Sequence, residues 1–196
     1  KTDGVFTAKN LGVKGSHSDD LLLIGLENNE EEISLHFYPV EVKIGNNQGT
    51  VLDKARLQVT KTKELLSNVL TGEAGNTFSS RFYRNFFAQL LISNAKKLAQ
   101  SDFWKEKPYD LSDEIIEKLL KDRFVISDRL SNFIGNGAIL SFRKDATHRS
   151  ASLDEKILLL DLTMMDGYQG LVTPIKEMRN WMQEKPNDFI KEKIMK

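Results

Sequence analysis

The apolar positions first fall at strand spacing and then at helical spacing. Leu21 to Leu26 is a short apolar run, and Ile33 to Ile44 is a second strand-like stretch; polar "ENNEEE" between them predicts an antiparallel hairpin. Successive strand residues point to opposite faces, so Glu41 and Lys43 share one face while Val40, Val42 and Ile44 share the other. "GNNQG" at 45–49 is a loop, after which Val51, Leu52, Ala55, Val59, Leu65, Leu66 and Val69 recur at helical spacing as far as Gly72. A second helix is expected from about Ser80 to Gln100, with Phe82, Phe86 and Leu90 beside Phe87 and Leu91 as a broad buried stripe. A third, Ser112 to Asp122, carries Asp113 and Glu114 in its first turn, where the helix dipole favours acids. Strands are expected at 137–142 and 156–162, "MMDGYQG" at 164–170 reads as a turn-rich loop, and helices follow at Pro174 to Gln183 and after Pro186.

Strands first, then helices, then strands again point to an α/β fold. At 196 residues the chain fits a single domain with a proper core. A core motif region is expected at 5–70, a helical insertion at about 78–122 and the remaining strands and helices at 123–196. Gly4, Gly12 and Gly15 cut the opening "KTDGVFTAKNLGVKG" into strand-sized pieces, and its abrupt start suggests a piece of a longer protein.

Composition narrows the chemistry. With no cysteine there is no disulfide, thiolate metal site or cysteine nucleophile, so any metal must sit on oxygen or imidazole. No apolar run is long enough to span a bilayer and no signal-peptide layout is present, so a cytoplasmic protein without a membrane partner is expected. The net charge of zero hides a segregation. Residues 19–32 hold six acids and no Lys or Arg, whereas 43–63 hold Lys43, Lys54, Arg56, Lys61 and Lys63 against Asp53 alone. Residues 78–100 add Arg81, Arg84, Lys96 and Lys97 without an acid.

Glu41 and Lys43 on one strand face make either a salt-bridged edge or a metal site. Phosphodiester hydrolysis calls for a divalent cation that stabilises developing charge and acidifies a water, and magnesium takes oxygen ligands, commonly one or two carboxylates. Asp20 at the mouth of the first strand, Glu41 on the second and Lys43 two residues on have that layout.

"SDDLLLIGL" followed by "HFYPVEVKIG" resembles the PD-(D/E)xK nuclease superfamily, which includes restriction endonucleases and RecB-like exonucleases. The resemblance implies a restriction-endonuclease-like mixed β-sheet flanked by helices and a Mg²⁺-dependent DNA endonuclease, with Mn²⁺ able to substitute. It implies Asp20 and Glu41 as metal ligands, with Asp19 as the alternative to Asp20, and Lys43 as the residue that positions the nucleophile. Gln58 in "LDKARLQVTKTKELL" matches the helical glutamine of the superfamily, while Thr62 stands where RecB-like members have tyrosine. It further implies DNA tracking along the basic helices, a motor or recognition domain on the same or another chain in a bacterial restriction or antiviral defence system, and a homodimer as one arrangement for cutting both strands.

Glu41-Val42-Lys43 is the only E-x-K of the chain; Asp154-Glu155-Lys156 is a D-x-K expected to begin a strand. His17, His36 and His148 are scattered, and Asp161 is a strand acid readable as functional or as a hydrogen-bonded structural group. No Walker, G-x-S-x-G or H-E-x-x-H motif occurs. The alternative function is a catalytically inactive nuclease-like fold serving as a nucleic-acid-binding or protein-assembly module.

Overall fold

The computed structural model describes residues 20–71, 78–100 and 109–184. The chain enters through strand β1 (Leu21–Asn28), turns into the long strand β2 (Ile33–Gly45) and continues through helices α1 (Thr50–Thr71), α2 (Phe78–Ala99) and α3 (Asp113–Leu120). Strand β3 (Phe124–Ile126), the single turn α4 (Ser131–Ile134) and strands β4 (Gly137–Arg143), β5 (Ser150–Asp154) and β6 (Ile157–Thr163) follow, then helices α5 (Met164–Val172) and α6 (Ile175–Glu184). The protein is thus α/β: a mixed six-stranded sheet flanked by helices, in the order β1-β2-β4-β6-β5, with β3 beside β2. The pairs β1/β2 and β5/β6 are antiparallel, and β2, β4 and β6 run parallel. Among the described residues no helix is long and apolar enough to cross a membrane.

Helices α1, α2 and α3 cover one face of the sheet. Ile33, Leu35 and Phe37 of β2 pack on Leu66 and Leu70 of α1, Phe87, Ala88 and Ile92 of α2, and Leu119 of α3. Phe37 and Phe87 meet edge to face, centroids 5.5 Å apart, a favoured aromatic geometry. A smaller cluster joins Ala55 and Val59 of α1 to Ile139 of β4 and Ile157 of β6. There α1 lies so close to the sheet that a Cβ on Gly137 would come within 2.5 Å of both Val59 Cγ1 and Pro39 O, so only glycine fits.

β3 and β4 pair with β2 at its two ends, residues 33–35 and 40–45, which leaves a notch along 36–39. Lys63 of α1 fills the notch, donating to Phe37 O at 2.8 Å while pairing with Asp128 at 2.8 Å. A second cation closes the far end of the core: Arg84 donates to Leu70 O and Phe124 O, pairs with Asp122 at 2.6 Å and lies over the Phe124 ring at 4.1 Å. It answers a last-turn carbonyl of α1 and the first carbonyl of β3 together.

Four local expectations are corrected. Residues 164–172 form helix α5, not a loop: Thr163 and Asp166 close a capping box at its start, and Gly167 lets the Phe142 ring sit where a Cβ would be 3.2 Å away. Asp154 ends β5 rather than beginning a strand, and Glu155 and Lys156 take positive φ values of 47° and 62° in a two-residue hairpin. β3 and β5 were not foreseen. On α2 the buried stripe runs through Phe87, Ala88, Ile92 and Ala95, while Phe82 and Leu90 are more than two-fifths exposed.

Candidate functional site

β4 pairs with β2 over residues 40–45, whereas the β1 ladder ends at the Leu21↔Val40 pair, so among the described residues Glu41 and Lys43 have a strand partner on the β4 side and lie just past the end of β1 on the other. Glu41 stands level with Ile139, which packs on α1, so Glu41 and Lys43 face the helical layer. Glu41 is 3% exposed. Its Oε1 accepts from Lys43 Nζ, and its Oε2 is buried without a hydrogen-bond partner. Lys43 is a quarter exposed, so the pair runs from the interior toward solvent. Burying a carboxylate with one oxygen unanswered costs free energy, and native interiors rarely tolerate it without a reason.

Asp20 immediately precedes β1. It lies one step beyond the Leu21↔Val40 pair, where the β1–β2 ladder ends. Its Oδ2 accepts from Val42 N at 2.8 Å, which anchors the exposed carboxylate beside the E-x-K segment. Asp19, its rival, lies outside the described residues, as does His17.

Gln58 is half-buried on α1 and makes no hydrogen bond to Asp20, Glu41 or Lys43. Its direction follows from helix geometry: Arg56 reaches Asp154 and Lys63 reaches Asp128 on the far flank, and Gln58 is about 160° around the helix from Arg56. It therefore lies on the flank of α1 opposite Arg56 and Lys63. One turn on, the buried Thr62 hydroxyl has no hydrogen-bond partner among the described residues.

The sequence reading missed how the polar row continues. The parallel register sets Lys43, Ser141 and Asp161 side by side across β2, β4 and β6, and Ser150 of β5 opposite Asp161. Ser141 is fully buried beneath Asn47, whose Nδ2 donates to Ser141 Oγ at 3.1 Å and Phe142 O at 3.2 Å. Gln48 donates to Asp145 at 3.0 Å, and Asp145 also grips Arg143, so the 45–49 loop is stitched to the end of β4. Beyond this plug, Asp161 has only long contacts, Ser150 at 3.5 Å and Arg143 at 3.6 Å, and its Oδ1 is buried and unpartnered. The signal for Asn47 lay in its flanking glycines, yet its partner stands 94 residues away.

The basic helices carry fewer available charges than their sequences suggest. Arg56 is held by Asp53 and Asp154, Lys63 by Asp128 and Phe37 O, and Arg84 by Asp122 and two carbonyls. Lys54 and Lys61 on α1 and Lys96 and Lys97 on α2 are exposed and have no ion-pair partner among the described residues. His36 is buried 3.5 Å from Glu27 on the opposite sheet face, and His148 is exposed beside Thr147.

The donors fit a hard divalent cation: all are carboxylate oxygens, and Glu41 Oε2 is a buried acceptor without a hydrogen-bond partner among the described residues. Among the described residues no group of three or more His, Cys, Asp or Glu is gathered closely enough to hold a metal ion, so such a site rests on Asp20 and Glu41. Comparison with protein-family models, curated proteins and solved structures finds no match.

Proposed function

We propose that the chain is a metal-dependent DNA endonuclease domain of PD-(D/E)xK type, acting in restriction or DNA processing. The observation that carries this reading is the half-answered Glu41 carboxylate, buried on the helical side of β2, with Lys43 on one oxygen and Asp20 bonded to the nearby Val42 backbone. Bound Mg²⁺ supplies charge stabilisation and a more acidic water; Mn²⁺ fits the same oxygen donors. Asp20 and Glu41 hold it. Lys43 orients the attacking water and offsets charge on the phosphoryl oxygens, and Gln58 acts from α1. DNA approaches over the exposed lysines 54, 61, 96 and 97. Targeting by a motor or recognition domain, cutting of both strands by a pair of copies and action in the cytoplasm complete the proposal.

The test is Mg²⁺-dependent nicking of supercoiled plasmid. The wild type cuts, and both Lys43→Ala and Glu41→Gln lose at least about 100-fold, the scale of removing a transition-state contact. Cutting retained by either variant overturns the reading.

A second reading, an inactive nuclease-like fold used for nucleic-acid binding or protein assembly, is favoured by one observation. Arg56, Lys63 and Arg84 are consumed by internal contacts, which thins the surface available to a DNA backbone. It predicts no heat on titrating Mg²⁺; a heat abolished by Glu41→Ala eliminates it.

A further inference from the structure

We infer that Lys43 is the internal counter-ion of Glu41 and that a divalent cation loads this carboxylate by displacing it, so cation binding and release of the lysine amine are one event. The inference rests on the metal-site reading above and adds its regulation.

Glu41 is almost fully buried, and among the described residues the only group answering its charge is the Lys43 ammonium on Oε1. Lys43 in turn has no second acceptor among the described residues. A cation ligated by Oε2 would sit within a few ångströms of that ammonium, in an interior where like charges repel strongly. One of the two must yield, and Lys43 is the one able to leave: its side chain is a quarter exposed, and a flexible four-carbon stem can carry the amine outward. The carboxylate stays, 3% exposed on a strand paired with β4. Coupling of this kind is reciprocal: whatever weakens the lysine's hold tightens the cation's by the same factor. The amine is thereby presented toward substrate only in the cation-loaded protein.

Calorimetric titration of Mn²⁺ into the wild type and Lys43→Met provides the test. The variant should bind about ten-fold tighter, as expected when a like charge is removed from contact range. Equal or weaker affinity overturns the coupling and leaves the metal site standing, whereas no heat in either protein overturns both. Wild-type protein gives a second readout that does not depend on the variant folding. Brief acetylation with acetic anhydride, read by mass spectrometry and normalised to Lys54 and Lys61, should label Lys43 severalfold faster with Mg²⁺ present. Unchanged labelling at a Mg²⁺ concentration that saturates the site overturns the inference.

Discussion

The two halves of β2 face the same helical layer and could hardly be built more differently. At its start Ile33, Leu35 and Phe37 meet Leu66, Leu70 and Phe87, apolar throughout and almost fully buried. At its end Glu41 and Lys43 continue sideways into Ser141 and Asp161, and two carboxylate oxygens in that row have no hydrogen-bond partner. One half maximises burial. The other forgoes stability that an apolar row of the same shape would supply, which is the pattern expected where function has set the residues.

Substitutions can break this contrast. The largest effect belongs to the apolar half: Phe87→Ala should cost about 3–5 kcal/mol in urea unfolding, as for large-to-small changes in packed cores. A loss below about 1 kcal/mol would mean that the half is loosely packed. In the polar half the sign reverses: Glu41→Leu combined with Lys43→Met should leave stability unchanged or raise it by about 1–3 kcal/mol while ending divalent-cation binding. Removing only Lys43 strands the buried acid, so Lys43→Ala should lose about 1–3 kcal/mol without added cation. If the double variant is the least stable of the three, the row is structural. Asn47→Ala, which deletes the plug over Ser141, should cost about 1–2 kcal/mol.

The smallest effect concerns an ion pair that is fully answered. Burial pushes the Asp166 carboxyl up, but hydrogen bonds from Arg149 and from the Thr163 backbone and hydroxyl outweigh it and hold the group below the usual carboxylate range. A depressed folded value gives stability present in full above the unfolded value of about 4 and lost as pH falls through the folded one. Asp166→Asn should therefore be less stable than wild type at pH 7, with the gap closing toward pH 2. A gap that widens on acidification would reverse the assignment.

The hairpin, the three-helix run and the shared face of Glu41 and Lys43 were legible because each rests on local period and turn chemistry. Other features were not, for separate physical reasons. Helix α5 contains Gly167, a breaker by propensity that is used here for close approach to Phe142; the overlooked signal was its Thr163–Asp166 capping box. The β5–β6 hairpin turns on Glu155 and Lys156, which lack the Asn-Gly chemistry that announces such turns. β3 is three residues long and exists because β2 offers it an edge. The Ser141–Asn47 plug and the Asp161 end of the row depend on parallel register between strands about a hundred residues apart, which no local pattern encodes.

That distance also fixes an order of events on the ribosome. β1 and β2 emerge together and can pair at once, but the strand that flanks Glu41 begins at Gly137. At elongation rates of about 5–20 residues per second, the nascent chain carries the Glu41 side of β2 open for several seconds before β4 closes it. The polar row is thus finished only once β6 has been made, and until then the chain has a half-built sheet edge that newly made copies of itself can join.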